Sequence, residues 1–151
     1  MKRAMTEKQL WMKADQIAES HAVAAIKSQR MALLLKQAYE ENLPLVIMCK
    51  YDEDGLAYQA YFNLDEEHPF LDGNRQMIFY TSKRAGKREA NTVTVSAQDV
   101  LNNIFNKRII GGLVFNPFDP RRMVAVEKSA LEQLIPGEKP LPPDFVDVEY
   151  S

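Results

Sequence analysis

The sequence predicts an α/β fold, borderline α+β, in which helices cover a mixed sheet of five or six strands and a helical extension precedes them. Short apolar runs rich in β-branched and aromatic residues recur from residue 45 onward, each bounded by turn-forming residues. Before and between them, stretches without Gly or Pro carry apolar residues at helical spacing. We predict a helical extension at 1–21, an α/β domain at 22–135 and a Pro-rich acidic tail at 136–151.

Composition limits the classes of function. The chain has 151 residues, a formal net charge of -2 and 26% charged residues, values typical of a globular protein. The single Cys49 excludes an internal disulfide and any site built from several cysteines. The basic segment lacks interleaved aromatic residues, which argues against nucleic acid as a partner. Charges interrupt the amino-terminal region, so we expect neither signal peptide nor membrane anchor, and a cytoplasmic location.

The amino-terminal region predicts two helices. No Gly or Pro occurs between Thr6, a candidate N-cap, and Asn42. The apolar stripes of the two halves do not line up, so we predict a break near residues 19–22. The apolar cluster at Leu10 and Trp11 leaves two alternatives open: the first helix packs onto its own domain, or it joins a partner or a second copy as a homodimer.

Six strands are predicted, at 45–51, 56–62, 75–81, 92–95, 109–115 and 123–126. The first two form a hairpin. The third and fifth are far enough apart in sequence for a parallel crossover, and the sixth follows the fifth closely enough to be antiparallel. Gly111 and Gly112 predict a bulge or a close backbone approach. Ser96 and Ser129 are predicted helix caps, whereas the basic segment at 82–88 is expected to be a mobile loop.

Catalytic and metal-binding templates are missing. The sequence contains no G-x-S-x-G, P-loop, G-x-G-x-x-G or H-E-x-x-H motif, and no residue is nominated as catalytic. Cys49 lies within a predicted strand and is interpreted as a buried apolar residue. The acidic loop at 65–68 matches neither an EF-hand nor a zinc motif and is interpreted as solvated, so no metal and no cofactor are predicted.

One candidate site depends on the predicted parallel strands. Their carboxyl ends would meet at one edge of the sheet, where open α/β sheets place ligands. This edge would bring together hydroxyl, amide, basic and aromatic side chains suited to a small anion or an acidic peptide. The candidate residues are Thr81, Ser82, Lys83, Arg84, Asn116, Phe118, Asp119, Arg121 and Arg122. Alternatively, Asn116 and Asp119 hydrogen-bond their own turns while the basic residues are solvated.

Residues 78–82 (IFYTS), 112–117 (GLVFNP) and 124–126 (VAV), separated by a capped helix and followed by another helix, resemble the SseB family of enhanced serine sensitivity proteins. The likeness spans residues 22–135. It implies an α/β domain without established catalytic activity, treated as uncharacterised or as an interaction module. Longer family members carry a second carboxyl-terminal domain that has no counterpart here, and the helix before Ala22 looks like an addition.

The favoured hypothesis is a non-enzymatic binding or regulatory module in the bacterial cytoplasm. It would recognise a protein partner or a small anion through the loops at 81–88 and 116–122. The alternative is a small enzyme of unknown reaction at the same loops, using Thr81, Ser82, Asn116 and Asp119. A deep closed pocket between the loops would favour the enzyme, and a shallow exposed patch would favour the module.

Overall fold

The computed structural model describes residues 4–51, 53, 57–59, 61–63, 75–87, 91–108 and 110–140. Most of the first predicted hairpin turn, the acidic loop at 64–74 and the tail beyond Pro140 lie outside the described residues. The helices are α1 (Glu7–Glu19), α2 (Ala24–Glu41), α3 (Lys83–Lys87), α4 (Ala97–Asn106) and α5 (Lys128–Leu134). The strands are β1 (Pro44–Tyr51), β2 (Ala57–Gln59), β3 (Tyr61–Asn63), β4 (Arg75–Tyr80), β5 (Thr92–Ser96), β6 (Ile110–Phe115) and β7 (Val124–Glu127).

The predicted α/β architecture is confirmed. Among the described strands, β5, β1, β4, β6 and β7 follow one another across the sheet, while β2 pairs with the end of β1 and β3 with the start of β4. β4 and β6 are parallel and β7 is antiparallel to β6, both as predicted. Arg75 lies opposite Ile110 and Gln76 opposite Gly112, so the register shifts at the glycine pair. The predicted bulge is therefore present.

Local hydrogen bonds explain where the helices begin and end. Thr6 and Gln9 form a reciprocal capping box at the start of α1, and Asn42 ends α2 in the left-handed conformation with φ 49°. The predicted break between the two helices is confirmed. Ser96 caps α4 as predicted, because its hydroxyl oxygen accepts a hydrogen bond from the Asp99 N–H at 3.3 Å.

Two local predictions are wrong. Ser129 does not cap the last helix, because β7 leads directly into α5 and the chain turns two residues earlier, at Glu127. The Ser129 hydroxyl instead lies in the first turn, 3.4 Å from the Glu127 carboxylate. Much of the basic segment expected to be a mobile loop forms α3, whose start is held by the Ser82 hydroxyl oxygen accepting from the Ala85 N–H at 3.1 Å.

The sheet buries apolar side chains on both faces. The larger core contains residues from α1, α2, α4 and α5, and the smaller one contains Val46, Ile78, Tyr80 and Val114. Leu10 of α1 is 2% exposed and belongs to the larger core. In the structure α1 therefore packs onto its own chain, which is the first of the two alternatives raised by the sequence. Leu10 offers no exposed surface to a second copy. Within the described part, no helix has the length and apolar character needed to cross a membrane.

Candidate functional site

The loops that follow β4 and β6 lie side by side, as the sequence analysis predicted. The Asn116 N–H donates to the Phe79 carbonyl at 3.0 Å. The Thr81 N–H donates to Asn116 Oδ1 at 3.4 Å, and Asn116 Nδ2 donates to Thr81 Oγ1 at 3.3 Å. Parallel pairing of β4 and β6 therefore continues past both strand ends as hydrogen bonds between the two loops.

Asn116 and Asp119 hold the second loop together. Asn116 is buried, adopts φ 52°, and donates from Nδ2 to the Arg122 carbonyl at 3.2 Å, which links the two ends of the loop. Asp119 accepts from the Arg121 N–H at 3.2 Å and lies 3.8 Å from Arg122 Nε. Both side chains thus make the bonds to their own turn that the alternative interpretation expected.

The hydroxyls of Thr81 and Ser82 are buried and already engaged. Thr81 Oγ1 donates to Asp15 Oδ1 and accepts from Asn116 Nδ2. Ser82 Oγ holds the start of α3. These hydrogen bonds hold the two loops in position.

Helix α1 contributes one wall of the site, which the sequence analysis missed. Glu19 Oε1 lies 2.6 Å from Arg122 Nη2, and Glu7 Oε1 lies 3.9 Å from Lys83 Nζ. The Lys83 ammonium is also 5.2 Å from the centre of the Trp11 ring. Two of the four basic groups predicted for an external anion are therefore paired with carboxylates of α1. The spacing of residues 7, 11, 15 and 19 places these side chains on one helix face, and this was the available signal.

Lys27 ties α1 to the second loop. Its ammonium is buried and donates to the Ala18 carbonyl in the last turn of α1 at 2.7 Å and to the Arg121 carbonyl at 3.3 Å. Cations at a helix carboxyl terminus satisfy carbonyls that have no partner within the helix.

Replacing Lys27 by Met should therefore lower the free energy of unfolding by about 2 kcal/mol, because the buried Ala18 carbonyl and the partly buried Arg121 carbonyl lose a charged donor while the alkyl packing is kept. Denaturant unfolding monitored by circular dichroism measures this change. The matched control Lys36→Met, at an exposed pair with Glu40, should change it by less than about 0.5 kcal/mol. Equal effects at the two lysines would contradict the bridging role of Lys27.

The loops and α1 enclose a small cleft of about 160 Å³. It is lined by Asp15, Glu19, Ser82, Arg84, Ala85 and Arg122. Arg84, which lines the cleft, is exposed, and in the loop at 116–122 Phe118 is 54% exposed and Arg121 is exposed. Within the described ranges, no ion-pair partner contacts either of these two guanidinium groups. We call Arg84, Phe118 and Arg121 the rim surface.

Comparison with protein-family models, curated proteins and solved structures finds no match. The resemblance to the SseB family therefore stays a prediction based on short motifs. The residues that carry it form β4, the end of β6 with its loop, and β7. In the part of the chain that the structure describes, no group of three or more His, Cys, Asp or Glu side chains could hold a metal ion.

Proposed function

We propose that this chain is a non-enzymatic binding module that recognises an anionic group through the rim surface. The group is a carboxylate of a protein partner or a small anion such as phosphate. The observation that supports this best is that the polar and the basic side chains of the two loops have different roles. Asn116, Thr81 and Asp119 are used to build a rigid framework, while Arg84 and Arg121 extend from it without ion-pair partners among the described residues.

The chemistry of the rim surface fits such a ligand. Guanidinium groups bind carboxylates and phosphates through planar pairs of hydrogen bonds. An exposed aromatic ring in the same loop as Arg121 adds apolar contact area, and Arg with aromatic residues dominates the energetics of many interfaces. The enzyme alternative has weaker support, because Thr81, Ser82, Asn116 and Asp119 already have structural partners.

A titration of the full chain tests this proposal. Inorganic phosphate and a capped glutamate dipeptide serve as probes, followed by amide shifts in ¹⁵N-labelled protein. We expect the double variant Arg84→Glu, Arg121→Glu to weaken binding of at least one probe by tenfold or more, about 1.4 kcal/mol. Each substitution replaces a cationic hydrogen-bond donor by a carboxylate, which carries the same sign of charge as the probe.

The matched control reverses a charge elsewhere. Arg108 is exposed and precedes β6, at the opposite end of that strand from the rim surface. Arg108→Glu should leave the affinities within about twofold, since exposed charges farther apart than a Debye length are screened. The proposal fails if neither probe binds the unaltered chain, or if the control weakens binding as much as the double variant.

A further inference from the structure

Strand β5 forms an edge of the described sheet. It pairs with β1 in antiparallel register from Pro44 opposite Ser96 to Met48 opposite Thr92. No other described strand pairs with it. An edge strand presents a row of backbone donors and acceptors that a further strand can bind.

The register identifies which backbone groups face outward. The Cys49 N–H donates to the Asn91 carbonyl at 2.9 Å, so these two residues form a hydrogen-bonded pair. Hydrogen-bonded pairs alternate along an antiparallel ladder, so Val93 and Val95 direct their N–H and C=O groups toward β1. Thr92 and Thr94 therefore direct theirs away from it.

A groove of about 430 Å³ follows this edge. Its lining residues are Lys83, Lys87, Thr92, Val93 and Thr94. The α3 helix lies so close to β5 that a Cβ atom on Gly86 would be 2.5 Å from the Thr92 methyl carbon. The Lys87 side chain is exposed, and no described residue forms an ion pair with it. The groove thus combines an open backbone edge with the ammonium group of Lys87 and with that of Lys83, which lies 3.9 Å from the Glu7 carboxylate.

We propose that this edge binds an acidic, extended segment of a protein partner by adding it as a strand beside β5. The inference rests on the proposed binding function and names the chemistry of the partner. Thr92 and Thr94 supply the backbone hydrogen bonds, which give affinity independently of sequence. Lys87 selects a carboxylate on the added strand, and Lys83 adds a second ammonium group that it shares with the Glu7 carboxylate at 3.9 Å.

The charge of the groove favours an acidic strand over a basic one, because Lys87 is exposed and has no ion-pair partner among the described residues. A second copy of this chain is a poorer occupant, because pairing of two β5 edges would bring like-charged lysines together.

The experiment uses the ¹⁵N-labelled full chain and an eight-residue peptide that alternates Glu with Val. We expect its binding to shift the amide signals of Thr92 and Thr94 and to slow their hydrogen exchange. A peptide with Lys in place of Glu should bind at least tenfold more weakly. The acidic peptide can also be N-methylated at the alternate positions whose N–H groups would face β5. This peptide should bind the unaltered protein at least tenfold more weakly.

Protein variants separate strand addition from charge attraction. Thr94→Pro removes an outward N–H and no bond to β1, and proline is tolerated at such edge positions. It should weaken the acidic peptide tenfold or more, whereas Thr94→Val, which keeps the N–H, should stay within twofold. Lys83→Glu with Lys87→Glu should also weaken it tenfold or more.

Several outcomes would overturn the inference. One is an acidic peptide that does not bind, which would mean that the lysines only protect the edge from association. Another is equal binding of the N-methylated peptide, which would mean attraction by charge alone. Phosphate and the glutamate dipeptide are too short to add a strand. Their binding at the rim surface, measured on the same samples, therefore shows whether the proposed function stands when strand addition fails.

Discussion

Replacing Asn116 by Ala is expected to lower the free energy of unfolding by about 4 kcal/mol, a large value for one substitution. Three hydrogen bonds are lost, and the Thr81 N–H and the Arg122 carbonyl lose their buried partner. Each buried polar group left without a partner costs about 1–3 kcal/mol. The residue also has φ 52°, where a Cβ without a local polar bond costs about 1–2 kcal/mol. Denaturant unfolding of the two proteins measures the difference.

A glycine series separates the two contributions. Glycine adopts the positive φ without a steric penalty, so the destabilisation of Asn116→Gly should come from the lost hydrogen bonds alone. We expect it to lower the free energy of unfolding by about 1 kcal/mol less than Asn116→Ala does. The matched control is Asn42, which also has positive φ but is exposed and whose Oδ1 accepts from the Gln98 N–H. Asn42→Gly should cost less than about 1 kcal/mol. If the glycine variants at the two positions cost the same, the bonds between the loops do not stabilise the fold as argued.

The Asn116 substitution also links stability to binding. Asn116 is the side chain that connects the first loop to both ends of the second. Without denaturant, at a temperature where Asn116→Gly remains folded, its rim surface should bind phosphate more weakly. The segment that leads into α3, which carries Arg84, and the loop that carries Arg121 are then no longer joined by side-chain hydrogen bonds.

The parts of the fold that were predictable are those that local chemistry determines. Thr6 and Ser96 were identified as caps because a side-chain oxygen at that position satisfies an otherwise unpaired N–H. The parallel pairing of β4 and β6 followed from the length of the connection, which is too long for a hairpin. This parallel pairing predicted the position of the candidate site, because it places the carboxyl ends of β4 and β6 at one edge of the sheet.

The composition of the site was harder to predict because it depends on where α1 packs. Asp15 and Glu19 lie in α1, which the sequence predicted to be an extension preceding the α/β domain. Only the tertiary position of α1 brings them to Thr81 and Arg122. Periodicity identified the apolar face of α1, through Leu10, but periodicity does not say which surface the opposite face meets.

The placement of β5 was unpredictable for a similar reason. Its alternating pattern identified residues 92–95 as a strand, but a strand of this length carries no information about its neighbour. The chain crosses from β4 over to the far side of β1 before returning to β6. This excursion makes β5 an edge of the described sheet and leaves the outward groups of Thr92 and Thr94 beside α3.

The close approach predicted at Gly112 gives the second large effect. A Cβ atom at this position would lie 2.2 Å from the Val126 carbonyl oxygen and 2.9 Å from Gln76 Oε1. The first obstacle is backbone of β7, which cannot rotate away as a side chain can. Gly112→Ala must therefore separate β6 from β7 or distort both, and we expect it to lower the free energy of unfolding by about 3 kcal/mol.

Gly137→Ala is the matched control, because it adds the same methyl group where nothing lies within 4 Å. Its φ of 104° makes alanine unfavourable, so we expect a cost of about 1–2 kcal/mol from the backbone alone. Equilibrium unfolding in denaturant compares the two variants. A Gly112→Ala protein as stable as the Gly137→Ala protein would mean that β6 and β7 can accept a side chain between them. Their pairing would then not require glycine, and the bulge at residues 111–112 would need another physical cause.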